Sequence, residues 1–238
     1  MNGIEGGGRR RVYLMRHAEV SYFAADGTAV DPRSVTLTER GRAQAAAMAE
    51  ALAEVPFDRA VCSGMPRSRD TAAAVLAARA IDIEDEPDFR EIRAGRLREV
   101  PPERRRADLV YALESAALEG ARFAGGESFM DFEARVLAAF TRLLSDPTWR
   151  RLLLVAHDAV NRVLLAWAAQ AGLAALAAFE QDMGCLNLID LDMADGMVER
   201  RIIRLVNYTP YDPVKAKLFL TSMEQVFGTY AATSPSPG

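Results

Sequence analysis

Apolar residues in this chain fall into two alternating patterns: short unbroken runs and longer stretches with helical spacing. The run Arg11-Val-Tyr-Leu-Met-Arg16-His17 reads as a buried strand that ends abruptly in an arginine and a histidine. Leu152-Leu-Leu-Val-Ala-His157 ends the same way, and it carries the only other histidine of the sequence. Further strands are predicted over Arg59 to Ser63, Ile81 to Glu84, Leu186 to Leu191 and Met197 to Val206. Asp195-Gly196 between the last two is a hairpin signal, which makes this edge of the sheet antiparallel. Thr38 is placed to cap a helix through Ala43 to Ala53, and Pro66 to introduce one over Arg67 to Arg79. Helical spacing recurs over Glu103 to Leu118, over Ser128 to Leu144 and from Ala159. Val20 to Val35 reads as loop, with turn signals at Asp26-Gly27 and Asp31-Pro32. Asp212 to Tyr230 reads as an appended amphipathic helix packing on the domain or on a second subunit, and Ser234 to Gly238 as a frayed tail.

Strands alternating with helices imply an α/β sheet, in which the carboxyl ends of the strands face the ligand crevice. A single histidine at a strand end is commonly structural, but two, each closing an apolar strand, mark Arg16, His17 and His157 as site residues. Ser63-Gly-Met-Pro-Arg67 occupies a third carboxyl end. There a helix N-terminus offers free backbone donors, and Arg67 adds a planar cation suited to phosphate. Phe89-Arg90-Glu91-Ile92 supplies a carboxylate after the third strand. Gly126-Glu127-Ser128 reads mainly as a helix cap. Arg90 to Arg106 holds seven arginines against three glutamates, and it reads either as a solvated connection or as a positive lid over an anion site.

Composition narrows the classes. Half of the 238 residues are hydrophobic, enough for a core without metals or disulfides, and the net charge of −4 argues against nucleic-acid or polybasic membrane binding. Cys62 and Cys185 fall in predicted strands and read as buried free thiols. Met1 to Arg11 lacks an apolar signal core. The longest apolar stretch, Val163 to Phe179, is interrupted by Gln170 and Gly172, so it reads as a buried helix and its neighbour rather than a span. A soluble, cytoplasmic protein is expected. Two histidines and two dispersed cysteines make no metal-ligand cluster, so neither metal nor other cofactor is expected.

Taken together, Leu14-Met-Arg16-His17-Ala-Glu19, Leu37-Thr-Glu-Arg-Gly41-Arg-Ala-Gln44, Ser63 to Ala72, Arg90-Glu91-Ile92 with Gly95, Gly126-Glu127-Ser128, and Val155-Ala-His157 with Arg162 resemble the histidine phosphatase superfamily, the phosphoglycerate mutase-like proteins. The motifs occur in the family's order over about Val12 to Val206. The resemblance implies a three-layer α/β/α sandwich with a mainly parallel central sheet and an antiparallel edge strand. The domain would cover 11–208, between a disordered N-terminus at 1–10 and a C-terminal extension at 209–238. It further implies a phosphohistidine at His17, with Arg16, Arg67 and His157 around the phosphoryl group and Glu91 as proton donor.

That chemistry suits the residue types. An imidazole attacks phosphorus only with a free lone pair, so His17 must be neutral with its other nitrogen hydrogen-bonded. Arg16 and Arg67 would supply forked cationic donors, and a protonated His157 another. Glu91, beside a phosphate dianion, would have a raised pKa and protonate the leaving oxygen. Glu19, Ser21 and Asp158 complete the expected substrate contacts. Asp158 stands where the family often has glycine, and it either caps the following helix or selects a substrate bearing a cationic or hydroxyl group. Val20-Ser-Tyr-Phe-Ala-Ala lacks the asparagine of the mutases, which favours a phosphomonoesterase acting on a small anionic metabolite. Phosphoglycerate mutase activity, and a non-catalytic phospholigand-binding role on the same fold, are the alternatives. A homodimer through the C-terminal piece is the one protein partner considered.

Overall fold

Strand β1, Arg9–Arg16, lies inside a six-stranded sheet and carries the first histidine at its carboxyl end. The computed structural model describes residues 8–22, 30–77 and 79–232; the Asp26-Gly27 turn and the tail from Ser234 lie outside them. The remaining strands are β2 (Arg59–Cys62), β3 (Ile83–Asp85), β4 (Arg151–Ala156), β5 (Leu186–Ala194) and β6 (Met197–Tyr208), in the spatial order β3-β2-β4-β1-β5-β6. Pairings among β3, β2, β4 and β1 are all parallel, whereas β5 runs antiparallel to both β1 and β6. The predicted hairpin joins β5 to β6: Asp195 and Gly196 both have positive φ, 50° and 76°, as a two-residue turn matching the strand twist requires.

Alternation along β1 divides the core between the two faces. Val12 and Leu14 point to one side, where Leu152, Leu154, Phe132, Phe140 and Trp149 gather. Tyr13 and Met15 point to the other, with Leu153, Val155, Met48 and Val75. Helices α1 (Glu39–Ala51) and α2 (Pro66–Leu76) cover the second face, and α3 (Phe129–Ser145) and α4 (Asp158–Ala168) the first, which completes the α/β/α sandwich. Thr38 caps α1 by accepting from the Gly41 amide, and Pro66 opens α2 as its first residue. None of the helices among the described residues is long and apolar enough to cross a membrane.

Several boundaries differ from the sequence reading, each for a local reason. Arg9 and Arg10 belong to β1 rather than to a disordered arm. Arg9 and Arg11, two apart on one face, reach Asp192 and Asp190 of β5 at 2.7 and 2.6 Å, and Arg10 on the opposite face donates to the Leu144 and Asp146 carbonyls. Helix α2 stops at Leu76 instead of Arg79 because Ala77 turns left-handed, φ 49°. The third strand is Ile83–Asp85 rather than Ile81 to Glu84. Cys185 immediately precedes β5 rather than lying within it; both thiols are free and buried.

Two larger differences concern the predicted helices at Glu103 to Leu118 and Asp212 to Tyr230. The first is a set of short turns, Pro102–Arg104, Arg106–Val110 and Ala112–Ser115. The middle turn is wide, with the Tyr111 amide reaching back to Arg106, and both Leu109 and Val110 are buried. In the second, helix α5 covers only Ser222–Ala232. Thr221 and Glu224 form a reciprocal cap, each side chain accepting from the other's backbone amide, which sets the start. Pro213 and a left-handed Lys215 (φ 50°) keep the preceding stretch irregular, and Phe219 projects from it, 89% exposed. The apolar side of α5 is taken up by its own domain: Met223, Phe227 and Tyr230 pack on the first core, and Phe227 meets Phe123 edge-on at 6.1 Å.

Candidate active site

Four strands of one direction end at the same rim, and this brings together residues from across the sequence. His17 follows β1, Ser63 and Arg67 follow β2, Glu91 follows β3 through a short turn, and His157 follows β4. The two imidazoles stand 5.2 Å apart between ring centroids, at 66° to one another. Both are buried, 2% and 1% exposed.

The hydrogen bonds determine where the ring protons sit. His17 Nδ1 is 2.8 Å from the Ala18 carbonyl, an acceptor only, so this nitrogen is the N–H and Nε2 keeps its lone pair. Arg67 Nε donates to that lone pair at 3.2 Å. Around His157 the chain of donors runs outward. Ser68 donates to the Met65 carbonyl, Ser63 donates to Ser68, and His157 Nε2–H donates to Ser63 at 2.8 Å. Its Nδ1 is therefore bare and lies 3.4 Å from Arg67 Nη2. Arg67 thus spans both rings, and its Nη1 donates to the Pro32 carbonyl at 2.6 Å.

Burial first, then the Arg67 cation, hold both histidines neutral, well below the ordinary imidazole range. This agrees with a neutral His17 and corrects the expectation of a protonated His157, which the desolvated, arginine-lined rim disfavours. A stability consequence follows with a definite sign. Below pH of about 6.5 the unfolded chain binds protons that the folded one refuses, so stability falls as pH drops, by at most about 1.4 kcal/mol per pH unit for each imidazole. Glu91 opposes this, because its raised pKa adds stability at low pH that is lost as pH rises; two imidazoles against one carboxyl leave a net loss on acidification. Denaturant midpoints measured from pH 7.5 to 5 should decline steadily, and His157→Ala should flatten the slope. A flat wild-type series would mean that the rings titrate normally.

Glu91 is poised differently from the sequence argument. Its carboxylate accepts from the Ile92 amide at 3.0 Å and the Ala159 amide at 3.2 Å, at the start of α4. Burial, then the charge of Asp158, push its pKa up even without a phosphate nearby. Its loop is secured by a residue that the sequence reading passed over. Arg135 of α3 donates to the carbonyls of Asp88, Arg90 and Glu91, and is itself held by Glu127 at 2.8 Å. Glu127, read earlier mainly as part of a helix cap, is a scaffold carboxylate; burial would raise it, but bonds from Arg135 and Arg93 outweigh this and hold it at about 2. Gly95 and Gly126 back onto each other's strands of chain here: a Cβ at Gly126 would meet the Arg93 oxygen at 2.2 Å. Two arginines of the 90–106 segment, both largely exposed, pair with carboxylates, Arg93 with Glu127 and Arg96 with Glu99, as a solvated connection would have them.

Asp158 neither caps a helix nor faces open solvent. It is the first residue of α4, 5% exposed, and ion-pairs with Arg16 at 3.1 Å and with Arg162. These two cations outweigh burial and keep it ionised. Arg16 also donates to the Gln181 carbonyl at 2.5 Å. Glu19 accepts from Thr38 at 3.0 Å and pairs with Arg40 at 3.1 Å, whereas Ser21 lies exposed beside the undescribed stretch. Arg16 and Glu19 border a cavity of about 380 Å³, which Tyr211, Ser222 and Gln225 also line. That C-terminal wall was not anticipated; nothing in the periodicity of Asp212 to Tyr230 aims it at the site. Among the described residues, no three His, Cys, Asp or Glu side chains gather as a metal site.

Known phosphatases resemble this chain in sequence and in fold. The chain is 32% identical over 190 residues to the adenosylcobalamin/alpha-ribazole phosphatase of Salmonella typhimurium, covering 76% of this chain and 90% of that one. The crystal structure of the alpha-ribazole phosphatase from Shigella flexneri superposes with a TM-score of 0.66 at 26% identity, over 83% of this chain and 96% of that one. The mycobacterial glucosyl-3-phosphoglycerate phosphatase Rv2419c shares the fold, with a TM-score of 0.69 at 24% identity, over 84% and 99% of the two chains. The family model of the histidine phosphatase superfamily, branch 1, matches residues 12–203. With both histidines, the strand-end arginines and the sheet order in place, the chain belongs to the histidine phosphatase superfamily.

Proposed function

We propose that the protein is a metal-independent phosphomonoesterase that works through a phosphohistidine on His17 and acts on a small phosphorylated metabolite. The observation that carries the reading is the tautomer of His17. With Nδ1–H committed to the Ala18 carbonyl, the only lone pair of the ring points from Nε2 toward Arg67, among strand-end cations. A phosphoryl group would enter between Nε2 and Arg67 and take over that hydrogen bond. Arg16 and Arg67 would meet its equatorial oxygens, where transition-state charge spreads. The N–P bond forms as the ester P–O bond breaks, and the leaving oxygen takes the proton of Glu91. Water then attacks phosphorus, the N–P bond breaks, and Glu91 recovers a proton from that water.

Similarity to alpha-ribazole phosphatases makes alpha-ribazole 5'-phosphate the first substrate to try, beside sugar phosphates and 3-phosphoglycerate. Phosphate release should be unchanged by EDTA; release that depended on added divalent metal would overturn the mechanism. Glu91→Gln should slow alkyl phosphates by about 10²-fold or more, within the range of general acid catalysis. The same variant should slow p-nitrophenyl phosphate far less, because nitrophenolate leaves without a proton. Since the raised pKa keeps Glu91 protonated further up the pH scale, wild-type activity on alkyl esters should fall as pH rises through it, and this limb should vanish in the variant.

A further inference from the structure

The family match ends at residue 203, and among the 35 residues that follow, one buried side chain reaches Arg16 through Asp158. Ser222, 3% exposed at the first turn of α5, donates to Asp158 Oδ2 at 2.5 Å. The same Oδ2 atom is 3.1 Å from Arg16 Nη1. Arg162 joins the group by contacting the other Asp158 oxygen and, at 3.3 Å, the Ser222 hydroxyl. Glu180 closes the circuit, accepting from the Ser222 amide at 2.8 Å and pairing with Arg162 at 3.2 Å. Arg16, Asp158, Arg162 and Ser222 are each at most 5% exposed, and the two cations balance the two carboxylates.

We propose that Ser222 is a positioning residue for the phosphate-binding arginine, so that docking of the C-terminal helix and occupancy of the phosphate site favour one another. The proposal rests on the reading of Arg16 as a phosphate ligand. Asp158 Oδ2 is shared between a neutral donor from α5 and a cationic donor from β1. With the hydroxyl in place, the carboxylate is partly satisfied by Ser222 and Arg162, and Arg16 is free to turn one edge of its fork to an incoming anion. Without it, Oδ2 has Arg16 as its remaining donor, and the guanidinium is held on the protein carboxylate instead. Linkage makes the effect reciprocal: whatever the docked helix adds to phosphate affinity, bound phosphate adds to docking. The reciprocal cap at Thr221 and Glu224 fixes the first turn that aims the hydroxyl, and Tyr230, donating to the Leu97 carbonyl at 3.0 Å, ties down the far end of α5.

The test is titration of the full-length protein with inorganic phosphate by calorimetry, together with hydrogen exchange of residues 209–232. Wild type should bind phosphate and show slower exchange in α5 when it is bound. Ser222→Ala should bind about five- to tenfold more weakly and lose the phosphate-dependent protection, and Ser222→Thr, which keeps the hydroxyl, should recover most of both. In turnover the alanine variant should show its loss in KM more than in kcat. Equal phosphate affinity in Ser222→Ala and wild type would overturn the proposal. So would a threonine variant as weak as alanine, or α5 exchange indifferent to phosphate in wild type. Failure of wild type itself to bind phosphate would instead count against the phosphatase reading on which the proposal stands.

Discussion

His17→Ala should lower turnover of p-nitrophenyl phosphate by on the order of 10³-fold or more, because it removes the atom that bonds to phosphorus and leaves only binding and electrostatic catalysis. Acid-labile phosphate trapped on wild-type protein by rapid quenching should be absent from the variant. The fold should survive, since the His17 ring makes its hydrogen bonds to the neighbouring Ala18 carbonyl and to Arg67 rather than to the core. His17→Asn, closer in size and still able to reach the Ala18 carbonyl, serves as a second variant should the alanine protein prove unstable. Turnover above a hundredth of wild type in both would remove His17 as nucleophile.

Arg67→Ala should be the next most damaging change. This guanidinium touches both histidines and also fastens the loop at Pro32 to the rim of the site. Its loss removes a preorganised cationic fork from the path of the phosphoryl group, an interaction worth about 10²- to 10³-fold in comparable anion sites. Lysine should not restore it, because one ammonium cannot serve His17, His157 and Pro32 at once. Without the nearby cation, the imidazoles should also become easier to protonate, so the stability of Arg67→Ala should depend less on pH than that of wild type. An Arg67→Lys enzyme with near wild-type kcat/KM would show that a point charge suffices and that the fork geometry has no part.

Legibility of the site in the sequence varied with how local its signals were. Arg16, His17 and His157 stood out because an apolar run that ends on a polar side chain marks the carboxyl end of a strand, and the structure puts all three at one rim. Thr38, Pro66 and Asp195-Gly196 were equally readable, each acting through the backbone of its immediate neighbours. For Glu91 the sequence reading expected a raised pKa from a neighbouring phosphate, whereas in the structure burial at the start of α4 and the charge of Asp158, 67 residues away in the chain, already raise it. Asp158 was misjudged for the same reason. Its capping preference is a local property, whereas two of its partners, Arg16 and Ser222, come from β1 and α5, far away in the chain. The helices expected at Glu103 to Leu118 and Asp212 to Tyr230 show tertiary packing overriding spacing, since Leu109, Leu113, Met223 and Phe227 settle into one shared core.

From the sequence alone came the strand ends, the two histidines, the hairpin and the separate motifs of the family pattern, each of which depends on residues close together in the chain. Only the tertiary structure decided which nitrogen of each ring carries the proton, why Asp158 stays ionised, what holds the Glu91 loop, and that α5 forms a wall of the cavity beside Arg16. Those properties depend on burial and on charges brought within hydrogen-bonding distance across the sheet, and no short-range pattern of apolar and polar positions encodes them.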